Sequence, residues 1–325
     1  MNYTNLPRVP DELQDRLHEP HVLEVIDRWQ SRSLDDALGC APSAEPFDIG
    51  GSFSKAVVIS PRGFRNGHVR VLALPYQQTW KPSTILRAGF DHDINNPDGM
   101  TIVLPNNSVE DQYYELTSED RARLSQGDMR PFYEKQTRLL EAVAKRLGSR
   151  AAKWTLAGYS LGGLTALGIA ATGSSKLDFR AVASCEAPNV PRTPKQLRQD
   201  FMHSGGWFDQ RRAIDDARMP ALDQALSPGS MALDYLRFGL ASARKDNKAL
   251  SEGMANPRFN LLVRKALDNH DLTIDLSHVE GSSVFKRAFI AKSPGRVLVT
   301  EFTGAGSRRH STVDNIVAHA LMLAA

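Results

Sequence analysis

The alternation of short apolar runs and helical patterns between residues 100 and 184 restricts the possible folds more than any other feature of the chain. Met100-Thr-Ile-Val-Leu104 is short, β-branched and flanked by Asp98-Gly99 and Pro105, the pattern of a strand buried on both faces. Pro131 to Leu147 places Phe132, Leu139, Leu140, Val143 and Leu147 at helical spacing, with Lys145 and Arg146 in the last turn and Gly148 beyond. Those are the marks of a helix and its stop signal. Lys153-Trp-Thr-Leu-Ala157 then reads as a strand, Leu161 to Ala171 as a small-residue helix and Phe179-Arg-Ala-Val-Ala-Ser184 as another strand. Strands and helices alternating at this spacing predict an α/β fold with a mostly parallel sheet, right-handed crossovers and flanking helices.

On either side of this region the pattern changes. Lys55 to Ser60 and Val69 to Leu74, separated by Asn66-Gly67, predict two antiparallel strands around a tight turn. Before them, residues 1–45 read as an N-terminal helical extension, in which Pro20 interrupts the apolar pattern from Asp11 to Trp29, before a loop with Pro42 and Pro46. The polar stretch after Leu104 reads as a loop. Residues 189–270 break the alternation with helical patterns such as Met231 to Ala241 and Arg258 to Leu267, which predicts an inserted helical cap. Strands resume at Leu272 to Leu276 and Arg296 to Thr300, and the chain closes on a helix with Val313, Ile316, Val317, Ala320 and Leu321 on one face. Ser311-Thr312-Val313-Asp314 supplies that helix with a capping-box start. The expected organisation is therefore an extension at 1–45, a core at 46–188 and 271–325, and a cap at 189–270.

Composition narrows the function classes. With 41% hydrophobic and 24% charged residues the chain is neither disordered nor fibrous. A net charge of only +3 with 37 acidic residues is not the footprint of a nucleic-acid binder. The two cysteines, Cys40 and Cys185, have no CxxC spacing, HExxH is absent and the histidines are scattered, so no metal site or disulfide framework is expected. No phosphate-binding loop suggests a cofactor, and none is expected. The N-terminus shows no basic segment followed by an apolar one, and no run reaches a membrane-spanning length. A cytoplasmic protein without a membrane span is the expectation.

Gly158-Tyr159-Ser160-Leu161-Gly162 fits G-x-S-x-G, and it lies between a predicted strand and a predicted helix, the context of a nucleophile elbow. A serine at the apex of a sharp strand-to-helix turn has strained dihedrals, and side chains two residues to either side would collide with the turn or with a neighbouring strand. The same turn places the Leu161 N–H at a helix N-terminus, where it can stabilise an oxyanion. Ser160 is the candidate nucleophile.

With this elbow, the order of elements from about residue 55 onward and a late histidine, the chain resembles the α/β-hydrolase family. The resemblance covers most of the chain apart from the extension and the cap. It implies a histidine in the loop after the last strand, and His310 in Thr303-Gly-Ala-Gly-Ser-Arg-Arg-His310-Ser311 matches. A serine hydroxyl is a poor nucleophile at neutral pH and needs an imidazole to take its proton and return it to the leaving group. His319, inside the final helix, and His278, at a strand end before the expected position, fit less well. The resemblance also implies a second oxyanion N–H from the loop Leu74-Pro75-Tyr76-Gln77-Gln78-Thr79-Trp80, with Gln77 chosen over Gln78, although His-Gly is common there in the family and absent here. Family members usually carry an aspartate after the penultimate strand, where this chain reads His278-Val-Glu280-Gly-Ser282-Ser283. Glu186, after the strand that follows the nucleophile helix, occupies the acid position of some lipases of this fold. Glu186 is thus the first candidate and Glu280 the alternative.

The function implied is a serine hydrolase acting on a carboxylic ester or related small-molecule acyl substrate through an acyl-enzyme. An acyltransferase or thioesterase would use the same triad, and a catalytically silent binding module would keep only the fold. In the expected cap, Phe201, Trp207, Phe208, Met219, Met231, Tyr235 and Phe238 are candidates for an apolar acyl pocket or for the cap's own packing.

Overall fold

The structure is a computed structural model that describes residues 9–39, 42–60, 67–75, 82–104, 116–148, 152–189, 191–193, 195–196, 219, 221, 244–269, 271–280, 282, 285, 296–303 and 316–324. Its strands are β1 (Ala44–Asp48), β2 (Phe53–Ile59), β3 (His68–Ala73), β4 (Met100–Leu104), β5 (Lys153–Tyr159), β6 (Asp178–Cys185), β7 (Thr273–Val279) and β8 (Arg296–Phe302). Its helices are α1 (Gln14–Leu17), α2 (Pro20–Ser31), α3 (Leu34–Gly39), α4 (Pro82–Asn95), α5 (Ser118–Ser125), α6 (Arg130–Leu147), α7 (Leu161–Thr172), α8 (Lys245–Ala255), α9 (Leu261–Leu267) and α10 (Ile316–Met322).

The strands form one eight-stranded sheet in the order β1-β2-β4-β3-β5-β6-β7-β8. Only β2 runs antiparallel to its neighbours, and every other pair is parallel. The predicted α/β class and mostly parallel sheet are thus the observed ones. The central strands β3, β4 and β5 are buried along nearly their whole length, as strands of a parallel sheet covered on both faces are.

The predicted hairpin is corrected. β2 and β3 do not pair, because β4 lies between them and bonds to both. β3 is buried along nearly its whole length, Arg70 included, and it bonds β4 on one edge and β5 on the other, so it sits deep in the sheet rather than in a two-stranded ribbon. The hairpin that does open the sheet joins β1 to β2 through Gly50 (φ 92) and Gly51 (φ 86). A two-residue turn with positive φ at both central positions matches strand twist and suits glycine. Asp48 Oδ1 accepts from the Gly50 and Gly51 N–H groups at 2.9 and 3.3 Å. β1 falls where a loop was expected, and its Pro46 is tolerated on an edge strand.

Two further differences concern helices. Pro20 begins α2 instead of interrupting it, since its missing N–H is one that the first turn leaves unbonded anyway. The polar stretch after β4 contains α5, which starts on a capping box in which Thr117 and Asp120 bond each other's backbone N–H. The helix predicted from Pro131 is α6, and it stops at Gly148 in the left-handed region (φ 69).

One face of the sheet is covered by α6 and α7 with the outer helices α5, α8 and α9, around a core that includes Leu140, Trp154, Leu156, Leu164 and Phe259. The other is covered by α2, α4 and α10, with Ile26, Trp29, Phe90, Ala157 and Leu321 buried between them. Trp29 meets Phe90 edge to face at 5.6 Å. The N-terminal helices therefore seal this second face, and Glu12 accepts from Thr303 just after β8, from N–H at 3.2 Å and from Oγ1 at 2.6 Å. Most of the segment expected as a cap, including Met231 to Ala241, lies outside the described residues. Its described end, α8 and α9, packs on α5 and α7. No helix among the described residues is long and apolar enough to cross a membrane.

Candidate active site

β5, β6, β7 and β8 are parallel, so Tyr159, Cys185, Val279 and Phe302 all end strands at one edge of the sheet. Ser160 follows β5 and starts the turn into α7 with φ 56 and ψ −126. Its N–H donates to the Cys185 carbonyl at 2.8 Å and its carbonyl accepts from Leu164 N–H at 3.1 Å. The residue is thus tied both to the neighbouring strand and to the first turn of the helix.

Glycine is needed around it for lack of room. A Cβ on Gly158 would lie 2.3 Å from the Gly162 backbone, one on Gly162 2.0 Å from the Ala73 carbonyl oxygen of β3, and one on Gly163 2.7 Å from Ser184 Oγ. Contacts this short do not occur between real atoms, so the three glycines let α7 start against β3 and β6. Leu161 is the first residue of α7, and backbone N–H groups at that position have no intrahelical acceptor.

Glu186 follows β6 directly, in register beside Ser160 because Tyr159 and Cys185 are paired. Among the described residues, Ser160 and Glu186 are the only non-glycine residues with positive φ, at 56 and 53. The Glu186 side chain is fully buried. Its N–H donates to the Ser277 carbonyl of β7 at 2.8 Å, and its Oε2 accepts from Ser282 Oγ at 2.8 Å. Ser282 is a contact that sequence reasoning missed. The signal available was its place after β7, where the family resemblance implied an acid.

Glu280 is exposed, and its N–H bonds the Phe302 carbonyl at 3.0 Å. Glu186 is therefore the buried one of the two candidate carboxylates. His310, Gln77 and Gln78 lie outside the described residues, as does the capping box at Ser311 to Asp314. The chain leaves β8 toward His310 from the same sheet edge that holds Ser160 and Glu186.

The two other histidines considered from the sequence, His278 and His319, each pack against an aromatic ring. His278 is buried in β7 and stacks on Phe285 with ring centroids 4.6 Å apart. His319 lies against the Tyr159 ring at 5.1 Å, and burial, followed by the Arg87 charge, pushes its imidazole down to about 4. It is neutral at pH 7. Burial and then the neighbouring Glu186 carboxylate push the Cys185 thiol up, so it stays un-ionised. Among the described residues no group of three or more His, Cys, Asp or Glu is placed to hold a metal ion.

Neither protein-family models nor curated proteins give a match to this chain. Among solved structures it is similar to Cfl2 from Burkholderia cenocepacia, at 13% identity over 86% of this chain and 94% of that chain, with a TM-score of 0.54. It is similar to epoxide hydrolase A from Mycobacterium thermoresistibile, at 13% identity over 86% of this chain and 97% of that one, with a TM-score of 0.53. It is also similar to the 2-hydroxy-6-oxo-6-phenylhexa-2,4-dienoate hydrolase from Rhodococcus sp. strain RHA1, at 13% identity over 83% and 92%, with a TM-score of 0.51. At this identity the likeness speaks for architecture. The chain has the α/β-hydrolase fold.

Proposed function

We propose that the chain is a serine hydrolase that cleaves a carboxylic ester or a related small-molecule acyl substrate. One observation carries the reading: Ser160 is held at positive φ at the apex of the β5-to-α7 turn, next to a buried carboxylate held the same way. Strain of about 1–3 kcal/mol per residue persists only where the surrounding structure imposes it, and it clusters at functional sites. The similar structures whose names include a hydrolase agree with the class of reaction, although a shared fold alone does not bring function.

In the proposed reaction His310 takes the Ser160 hydroxyl proton as the oxygen attacks the acyl carbon. The oxyanion of the tetrahedral intermediate accepts hydrogen bonds from the Leu161 and Gln77 N–H groups. His310 returns the proton to the leaving alkoxide, and the acyl group remains on Ser160. Water, deprotonated by His310, then attacks the acyl carbon, and Ser160 regains its proton as the acid product leaves. Glu186 holds the imidazole tautomer and stabilises the imidazolium. The chemistry requires no cofactor. Substrate choice is assigned to the cap within 189–270, through side chains such as Trp207 and Phe238.

The test is covalent labelling. A fluorophosphonate should label the wild-type protein at Ser160 and leave folded Ser160→Ala unlabelled, with turnover of an activated ester falling about 10⁴-fold or more. A folded wild type that takes no label would sink the reading. Glu186→Gln should lower kcat by about 10²-fold or more with KM little changed, since the charge acts mainly on the protonated imidazole. If Glu280→Gln caused that loss and Glu186→Gln did not, Glu280 would be the acid; if neither did, Ser160 and His310 would work as a dyad.

A further inference from the structure

Ser282 and Glu186 are 96 residues apart in the chain, yet their side chains meet at 2.8 Å beside the strand end that carries Ser160. Ser282 Oγ also accepts from the Phe285 N–H at 3.2 Å. A hydroxyl has one proton and two lone pairs. With one lone pair filled by the Phe285 N–H, and a carboxylate that can only accept, the hydroxyl proton is directed onto Glu186 Oε2. Phe285, whose N–H fills that lone pair, is anchored, because its side chain is buried and stacks on His278 of β7 at 4.6 Å with its ring 21° from parallel. Glu186 itself is fully buried, and a buried carboxylate is stabilised only by hydrogen-bond donors or positive charge.

We propose that Ser282 is a positioning residue for the Glu186 carboxylate, a role that rests on Glu186 being the acid of the proposed triad. By bonding Oε2 it fixes rotation about the terminal bond of the glutamate, so that the same oxygen always meets the imidazole. The residue after β6 supplies the charge, and Ser282, after β7, supplies the donor that orients it. No bond to substrate is made by Ser282, and its effect reaches the reaction only through Glu186. Replacing it should therefore change turnover and leave substrate affinity alone.

The experiment is a double-mutant cycle on hydrolysis of p-nitrophenyl butyrate, with folding checked by thermal unfolding. Ser282→Ala should lower kcat about tenfold while KM stays within about twofold, and Ser282→Thr, which keeps the hydroxyl, should recover most of the loss. If Ser282→Ala does not fold, Ser282→Cys, of similar size with only a weak donor, should show a smaller loss in the same direction. In the Glu186→Gln background, Ser282→Ala should have no further effect on kcat, because residues acting as a unit are not additive. Losses that multiply in the double variant, or wild-type kcat in Ser282→Ala alongside a crippled Glu186→Gln, would overturn the positioning role and leave Glu186 as the acid. Full turnover in Glu186→Gln would instead remove the acid assignment, and the role of Ser282 with it.

Discussion

At Gly162 an added methyl group would sit 2.0 Å from the Ala73 carbonyl oxygen and 2.8 Å from its carbon, both backbone atoms of a central strand. Neither can move without disturbing β3 and its partners. Gly148 offers the opposite case: it caps α6 at φ 69 and has nothing within 4 Å of its missing Cβ. Gly148→Ala should thus cost only the backbone strain, about 1 kcal/mol. Gly162→Ala should cost about 3 kcal/mol or more, or prevent folding. Urea unfolding of the two variants checks the contrast, and equal small losses would show that the elbow has more slack than its geometry indicates. The same crowding explains why the serine is displayed: the turn is too tight to place Ser160 anywhere but at its apex.

The joint between α5 and α6 depends on one carboxylate. Asp128 Oδ1 accepts from Arg130 N–H at 3.2 Å and from Arg130 Nε at 2.8 Å, and its Oδ2 accepts from Arg123 Nε at 3.0 Å. The side-chain bonds from Arg130 lead in holding the Asp128 carboxyl down to about 2, against the opposing effect of burial. A carboxylate whose folded pKa is depressed contributes stability that is complete above its unfolded value, near pH 4, and is lost as pH falls toward the folded value. Asp128→Asn should therefore lower stability by about 1 kcal/mol at pH 7, a figure discounted for solvent screening. The gap from wild type should close between about pH 4 and pH 2. Chemical denaturation across that range measures it, and a constant gap would show that the loss comes from shape and not from charge.

At the scale of the whole molecule, Arg70 connects parts of the chain that are far apart in sequence. Buried on β3, it bonds Asp91 of α4 at 2.9 and 3.1 Å and the Leu323 carbonyl at the end of α10 at 2.8 Å. Arg16 from the N-terminal helices donates to the Leu321 carbonyl at 2.9 Å, and Asn95 to the Ala320 carbonyl at 2.8 Å. Carbonyls in the last turn of a helix lack the usual i+4 donors; here the Leu323 and Ala324 N–H groups reach the Ala320 and Leu321 carbonyls at 3.2 and 3.3 Å, and three side chains from different parts of the chain add to the closure of α10. Removing the guanidinium strands a buried carboxylate, and Arg70→Ala should cost about 3–5 kcal/mol. A loss below about 1 kcal/mol, measured by guanidinium unfolding, would mean that water reaches Asp91 once the arginine is gone. α10 also bears His319 against Tyr159, the residue before the proposed nucleophile. The helices α1 and α2 are accordingly part of the frame that holds α10 against the strand end before Ser160.

Local chemistry made the elbow readable from the sequence alone. Strand β5, helix α7 and the glycines between them are close in the chain, and α6 announces itself by apolar spacing and a glycine stop. The α/β alternation followed from the same local signals. Where neighbours are distant in sequence, local signals misled. Asn66-Gly67 looked like a hairpin turn, but β3 is buried along its length and pairs with β4 and β5, a demand set by the whole sheet. β1 was hidden by Pro46, which only an edge position permits, and α5 by its polar composition, although its Thr117 and Asp120 box was present in the sequence. Both candidate carboxylates were visible in the sequence. Only tertiary burial separates Glu186 from the exposed Glu280, and only the parallel packing of β6 beside β7 brings Ser282 to it across 96 residues. Sequence by itself offered the candidates for chemistry, because candidacy depends on side-chain type and local turn geometry; structure decided that Glu186 is buried beside Ser160 and meets Ser282, because burial and contact depend on chain segments far apart in sequence.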